Sequence, residues 1–274
     1  MLRLPFLALA SLLIACSRDS AADEAAAPHA SGVARRALSA PGFAWRTHAA
    51  AGVHLHYLPD SYTAAHLPEF AAKAKEALRH DLGLMGEPAP REPLELFLVD
   101  SRAQAEQLTG RGSMGQAIPG ELTAFFVVLP GRGPAFRHEI MHALSLALWG
   151  THRTGSWLSD GVATWAAGTC QGRSVDAIAA GFLARGELLP LRELAARFWE
   201  VDELHAYLSA GSAVSHVART GGNAAVEALW KHDPADGEHP LGAEGAAKEA
   251  SWRAHLATVP AATVDTVLLR RHGC

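Results

Sequence analysis

Between residues 53 and 58 apolar residues and histidines alternate until Pro59-Asp60, the period-two pattern of a half-buried strand. From 67 to 82 the period changes. Phe70, Ala74, Ala77, Leu78 and Leu82 share a face, while Lys73, Lys75, Glu76 and Arg79 fall largely off it; the pattern predicts a helix stopped by Gly83 and Gly86. A second apolar strand is expected over 94–99, after the breakers Pro88, Pro90 and Pro93, and Ser101 is placed to cap a short helix reaching about Leu108. The glycine-rich stretch 109–120 reads as a break, and the β-prone run 123–129 as a third strand ending at Pro130-Gly131. Pro134 then suits the first turn of a helix that runs to Trp149 and is ended by Gly150.

Past Gly150 strand signals vanish and helical periods take over, at about 157–168, 174–184, 190–200, 203–219, 223–232, 244–257 and 260–271. The expected class is α+β, with a mixed strand and helix lobe over 41–150 followed by a mainly helical lobe over 151–274. The chain shows no internal repeat.

The N-terminus changes the picture. Arg3 is followed by the apolar run 4–15, broken only by Pro5 and Ser11 and too short to span a bilayer, so residues 1–15 read as a signal peptide. Its end, Leu13-Ile14-Ala15-Cys16, resembles the bacterial lipobox, which implies a lipid on Cys16; Ser17, rather than an aspartate, then implies the periplasmic face of the outer membrane. Residues 16–40, rich in Ala, Ser and charge with no sustained period, suit a flexible tether. If Cys16 carries lipid, Cys170 and Cys274 remain in a compartment that permits disulfides, so a bridge between them is one expectation and two free thiols the other. A net charge of −4 provides no basic footprint, which argues against a nucleic-acid partner.

The candidate chemistry is concentrated in His138-Glu139-Ile140-Met141-His142. On a helix, positions i and i+4 share a face, so both imidazoles can meet one metal ion while Glu139 acts as general base on its water. Catalytic zinc takes three protein ligands and leaves a position open for that water. Asp160, in Trp157-Leu158-Ser159-Asp160-Gly161-Val162-Ala163, is the best third candidate, since Gly150 and Gly155 let the next helix turn back toward the first. Thr164 and Trp165, one turn later, are expected to pack or to orient that ligand.

His-Glu-x-x-His on one helix, then Trp-Leu-Ser-acid-Gly-x-Ala opening the next, resembles the gluzincin metallopeptidases, in particular their small peptidase MA-like members. The likeness is strongest over 134–168 and extends more weakly over 207–230, through Tyr207-x-x-Ala-Gly-Ser and Gly221-Gly222-Asn223. It implies a zincin-like fold, Zn2+ on His138, His142 and Asp160, and a peptide or protein substrate. An oxyanion donor from the helical lobe is also implied, Tyr207 first and His216 second. The strand 123–129 is implied to edge the cleft and pair with an extended substrate. The chain departs from the family in having Asp160 where a glutamate is usual, a side chain one methylene shorter. That leaves a second expectation, an inactive zincin-like lipoprotein binding metal or an envelope partner without turnover.

Overall fold

The computed structural model describes residues 32–264. In chain order its first half contains α1 (Gly32–Leu38), β1 (Arg46–Ala50), β2 (Val53–Tyr57), α2 (Tyr62–Ala65), α3 (Leu67–Met85), β3 (Leu94–Val99), α4 (Arg102–Thr109), β4 (Gly115–Ala117), β5 (Thr123–Val127) and α5 (Phe136–Leu144). The second half contains α6 (Ser156–Ala167), the two-residue strands β6 (Thr169–Cys170) and β7 (Arg173–Ser174), and the helices α7 (Val175–Ala184), α8 (Leu191–Ala196), α9 (Glu203–Gly221), α10 (Asn223–Lys231) and α11 (Gly245–Leu256). The class is α+β, as the patterning predicts.

Five strands form a mixed sheet in the order β1-β2-β3-β5-β4. β2, β3 and β5 run parallel, with β1 and β4 antiparallel at the two edges. All six residues of β3 are buried, because both faces of the sheet are covered. On one face Val53, Leu55, Leu96 and Phe126 join the main core with Phe70, Ala74 and Leu78 of α3 and Ile140 and Met141 of α5. That core continues without interruption through α6 and α9 to Trp252 of α11. On the other face Phe97 and Phe125 stack at 4.8 Å beneath Ala34 and Ala37 of α1. The same face buries Glu95, which accepts hydrogen bonds from His54 and His56.

Several expectations need correction. The tether does not extend to residue 40: from Gly32 the chain is helical and α1 packs on the sheet, because Ala34 and Ala37 are small enough for their backbone to lie close to the two phenylalanines. Four strands escaped the periodicity, β1, β4 and the β6–β7 pair, and each is too short or too exposed to show a hydrophobic alternation. The strand β5 is interior, lying between β3 and β4, so the edge belongs to Gly115–Ala117. α8 stops at Ala196 rather than near 200, since Phe198 turns inward and is buried. Residues 260–264 have no regular secondary structure, and the rest of the helix expected over 260–271 lies outside the described residues, as do the signal peptide and Cys16. Cys170 is disulfide-bonded, and both other cysteines of the chain, Cys16 and Cys274, also lie outside them. Among the described residues no helix is long and apolar enough to cross a membrane.

Candidate metal centre

The helix α5 buries Ile140, Met141, Ala143 and Leu144 in the core and turns His138 and His142 the other way. It begins one residue after Ala135, so Pro134 stands just ahead of its first turn rather than within it. Its end widens into a π-helical turn, Ser145–Trp149, and the chain breaks off at Gly150, whose φ of 84° suits glycine. The Gly150 carbonyl accepts the indole N–H of Trp230 at 2.8 Å, which fixes where the loop leaves the helix. Gly155, at φ 88°, then launches α6 back over the histidine face.

These turns bring three side chains from two helices together. The His138 and His142 Nε2 atoms are 3.2 Å apart, and Asp160 Oδ1 lies 3.5 Å from His142 Nε2 and 4.0 Å from His138 Nε2. Among the described residues they are the one such group whose ligand atoms all lie within 4.8 Å of each other, close enough to hold one metal ion. Burial pushes the His138 imidazole down to about 3, helped by neighbouring His142, so the ring is neutral and its lone pair available. For His142 burial acts in the same direction but the hydrogen bond and charge of Asp160 outweigh it, and the imidazole is raised. Ser159 Oγ lies 3.1 Å from His142 Nδ1, so a His142 that ligates through Nε2 can donate its other N–H to that hydroxyl.

Glu139 emerges on the neighbouring side of α5, with only 8 % of its surface exposed. Its carboxylate accepts the Ala117 backbone N–H at 3.0 Å. Burial, reinforced by Asp160 and opposed by His142 and Ala117, pushes its carboxyl up to about 7. The contact with β4 requires a glycine at 115, where an added Cβ would stand 2.2 Å from Glu139 Oε1. Met114 and Ile118 spend their backbone bonds on β5, so by the antiparallel alternation the groups of Gly115 and Ala117 face away from the sheet toward Glu139.

Tyr207 comes from α9, its ring stacked on His138 with centroids 5.9 Å apart and planes 17° from parallel. Burial and the carboxylates of Asp160, Glu203 and Glu139 push the phenol far up, so it keeps its proton. Two glycines allow this approach: a Cβ on Gly161 would meet the Ala210 carbonyl at 3.1 Å, and one on Gly211 would meet Thr164 Cγ2 at 2.6 Å. Thr164 therefore packs at the α6–α9 crossing, and its buried Oγ1 has no hydrogen-bond partner.

His216, the other donor considered, is not at the centre. Nine residues along α9 from Tyr207, it is ~13 Å further down the helix. Its Nε2 meets Ser251 Oγ at 3.2 Å and its Nδ1 meets Arg219, in a network closed by Asp176. The other parts that periodicity did not supply are backbone and small residues: the Ala117 N–H, the space at Gly115 and the Ser159 hydroxyl. Ser159 stands beside Asp160 in the quoted motif, and its adjacency to a ligand was the available signal. Compared with known protein families and with curated proteins, the chain matches no family model and no curated sequence, so the constellation of His138, Glu139, His142, Asp160 and Tyr207 has to be interpreted from its own geometry.

Proposed function

We propose that this chain is a zinc-dependent peptidase of gluzincin type, attached to the bacterial cell envelope through a lipid on Cys16. The observation that carries the reading is the convergence of His138, His142 and Asp160 within 4.8 Å, with Glu139 buried beside them. A tetrahedral zinc with bonds of about 2.0 to 2.1 Å separates its ligand atoms by roughly 3.3 Å. The separations of 3.2 and 3.5 Å match that spacing, and the third, 4.0 Å, is wider by about 0.7 Å. Two imidazoles and one carboxylate are also the donor set of hydrolytic zinc sites, and Asp160, although one methylene shorter than a glutamate, brings Oδ1 to 3.5 Å from His142 Nε2.

Zinc held there supplies a Lewis acid that polarises a carbonyl and acidifies water toward neutrality. Glu139 takes the proton from the water that attacks the peptide carbonyl and passes it to the departing amine, so one water is consumed and no other reactant is needed. The Tyr207 O–H donates to the carbonyl oxygen as negative charge gathers on it. Ser159 Oγ accepts the N–H that His142 keeps on Nδ1, which holds the ring in place while its Nε2 faces the metal position. The outward backbone of Gly115 and the carbonyl of Ala117, whose N–H is held by Glu139, provide an edge on which an extended peptide adds as a strand.

The test is metal content and cleavage of a mixed peptide pool by the parent and by Glu139→Gln. One zinc per chain in both, with cleavage by the parent alone, is expected. One zinc per chain and no cleavage by either would replace the peptidase with a metal-binding envelope lipoprotein, and absence of zinc would remove both.

A further inference from the structure

The turn that follows α8 holds a large apolar side chain in solvent. Among the described residues only Leu129 and Trp199 are exposed large hydrophobics, and Trp199 is by far the more open, at 71 %. It is nonetheless anchored at two points. Its indole N–H donates to Ser156 Oγ at 3.1 Å, and its ring stands edge-on to buried Phe198 at 5.3 Å. An exposed indole held in one place loses little entropy when something covers it, which suits recognition better than chance exposure.

Its anchors lead to the metal centre. Ser156 is one helical turn ahead of Asp160, on the same face of α6. Phe198 stacks on Tyr207 at 5.7 Å and 11°, and Tyr207 in turn stacks on His138. An extended peptide rises ~3.3 Å per residue and so spans the three ring-to-ring steps within about five residues. Beside the indole is a shallow cavity of about 210 Å³ lined by Trp199 with Ser156, Ala195, Ala196, Phe198 and the charged pair Arg197 and Glu200. The two alanines leave room there for one side chain. The two charges in its lining are paired: Arg197 bonds Glu200 at 3.0 Å and also Glu193, outside the cavity, at 2.7 Å. A lysine or glutamate entering the cavity would find no free counter-charge, whereas an apolar ring or branched chain would lie against Trp199 and Phe198.

We infer that this cavity is a specificity pocket of the metal centre, in which Trp199 receives a neutral aromatic or large aliphatic side chain of the substrate within about five residues of the scissile bond. The inference rests on the peptidase reading for the word substrate, and on the cavity alone for the binding. Decapeptides that carry Ala, Leu, Phe, Lys or Glu at each position in turn test it with the zinc-loaded parent, Trp199→Ala and Trp199→Phe. The parent should cleave peptides with Phe or Leu at one fixed position at least ~10-fold better in kcat/KM than those with Ala, Lys or Glu there. Trp199→Ala should lose that preference while cleaving the Ala peptides as before, and Trp199→Phe should keep most of it. An unchanged preference in Trp199→Ala overturns the pocket and leaves the peptidase intact. If the parent cleaves nothing, the same peptides are titrated by fluorescence polarisation into zinc-loaded Glu139→Gln with and without Trp199→Ala. Binding of the Phe and Leu peptides weakened ~10-fold by the second change upholds the pocket without the peptidase. Binding that ignores Trp199, or no binding, overturns it.

Discussion

The backbone N–H of Ala117 lies 3.0 Å from the carboxylate of Glu139, which joins the edge strand to the side chain proposed as the base. Gly115 sits two residues earlier on the same outward face, where an added Cβ would overlap Glu139 Oε1. Gly115→Ala must therefore move either the strand or the carboxylate. A displacement near 1 Å is worth about 100-fold in rate. We expect cleavage to fall by that order with zinc content unchanged, as read by peptide kinetics beside metal analysis of the same preparation.

The Ser159 hydroxyl faces the ring nitrogen of His142 that a ligating Nε2 leaves over. Loss of such an outer partner weakens metal binding by about 10- to 100-fold. Ser159→Ala should show that drop in competition against a chelator of known affinity, while Ser159→Thr, which keeps the hydroxyl, should stay close to the parent.

Two glycine substitutions should act in opposite directions. Gly211→Ala puts a methyl 2.6 Å from Thr164 at the α6–α9 crossing and should destabilise the fold by about 1 to 3 kcal/mol. Gly83→Ala lies within α3, where an added Cβ meets nothing within 4 Å, and should stabilise it by about 0.5 to 1 kcal/mol. Urea unfolding of the two variants beside the parent measures both.

Asp81 is fully buried on α3, with one oxygen 2.9 Å from His80 Nδ1 and the other without a hydrogen-bond partner. Burial pushes its carboxyl from 3.8 up to about 7, against His80 and Arg137 and with the help of Glu76. Folding therefore takes up a proton between these values. Stability is greatest while the unfolded carboxyl is also protonated, and it declines as pH rises from about 4 to about 7, by ~4 kcal/mol if this group acts alone. Asp81→Asn should remove that slope and be the more stable of the pair at pH 8. Equal pH dependence of the midpoint of urea unfolding in parent and variant would remove the assignment.

What the patterning could reach was decided by side-chain burial. β3 is legible because six consecutive residues are buried, and α3 because its buried residues share a face with the helical period. β1 and β4 owe their place to backbone pairing, which leaves no hydrophobic trace in Arg46–Ala50 or Gly115–Ala117. At the centre, His138 and His142 are separated by a fixed helical step and were readable as a pair, and Asp160 followed from the break between two glycines. The choice between Tyr207 and His216 was beyond local reading. Both lie on α9, and which of them meets the His138, His142 and Asp160 cluster depends on how that helix crosses α6 at Gly161 and Gly211, a tertiary contact between residues far apart in sequence.

Docking of α1 on Phe97 and Phe125 also sets a leash. If a lipid holds Cys16 in the membrane, only residues 17–31 separate the bilayer from the sheet, since the chain from Gly32 onward is committed to the fold. Fully stretched, that segment reaches ~50 Å. The His138, His142 and Asp160 cluster would then patrol a shell of that depth along the membrane, and under the proposed peptidase reading polypeptides emerging from it or lying close to it would meet Glu139 far more often than those diffusing through the wider compartment.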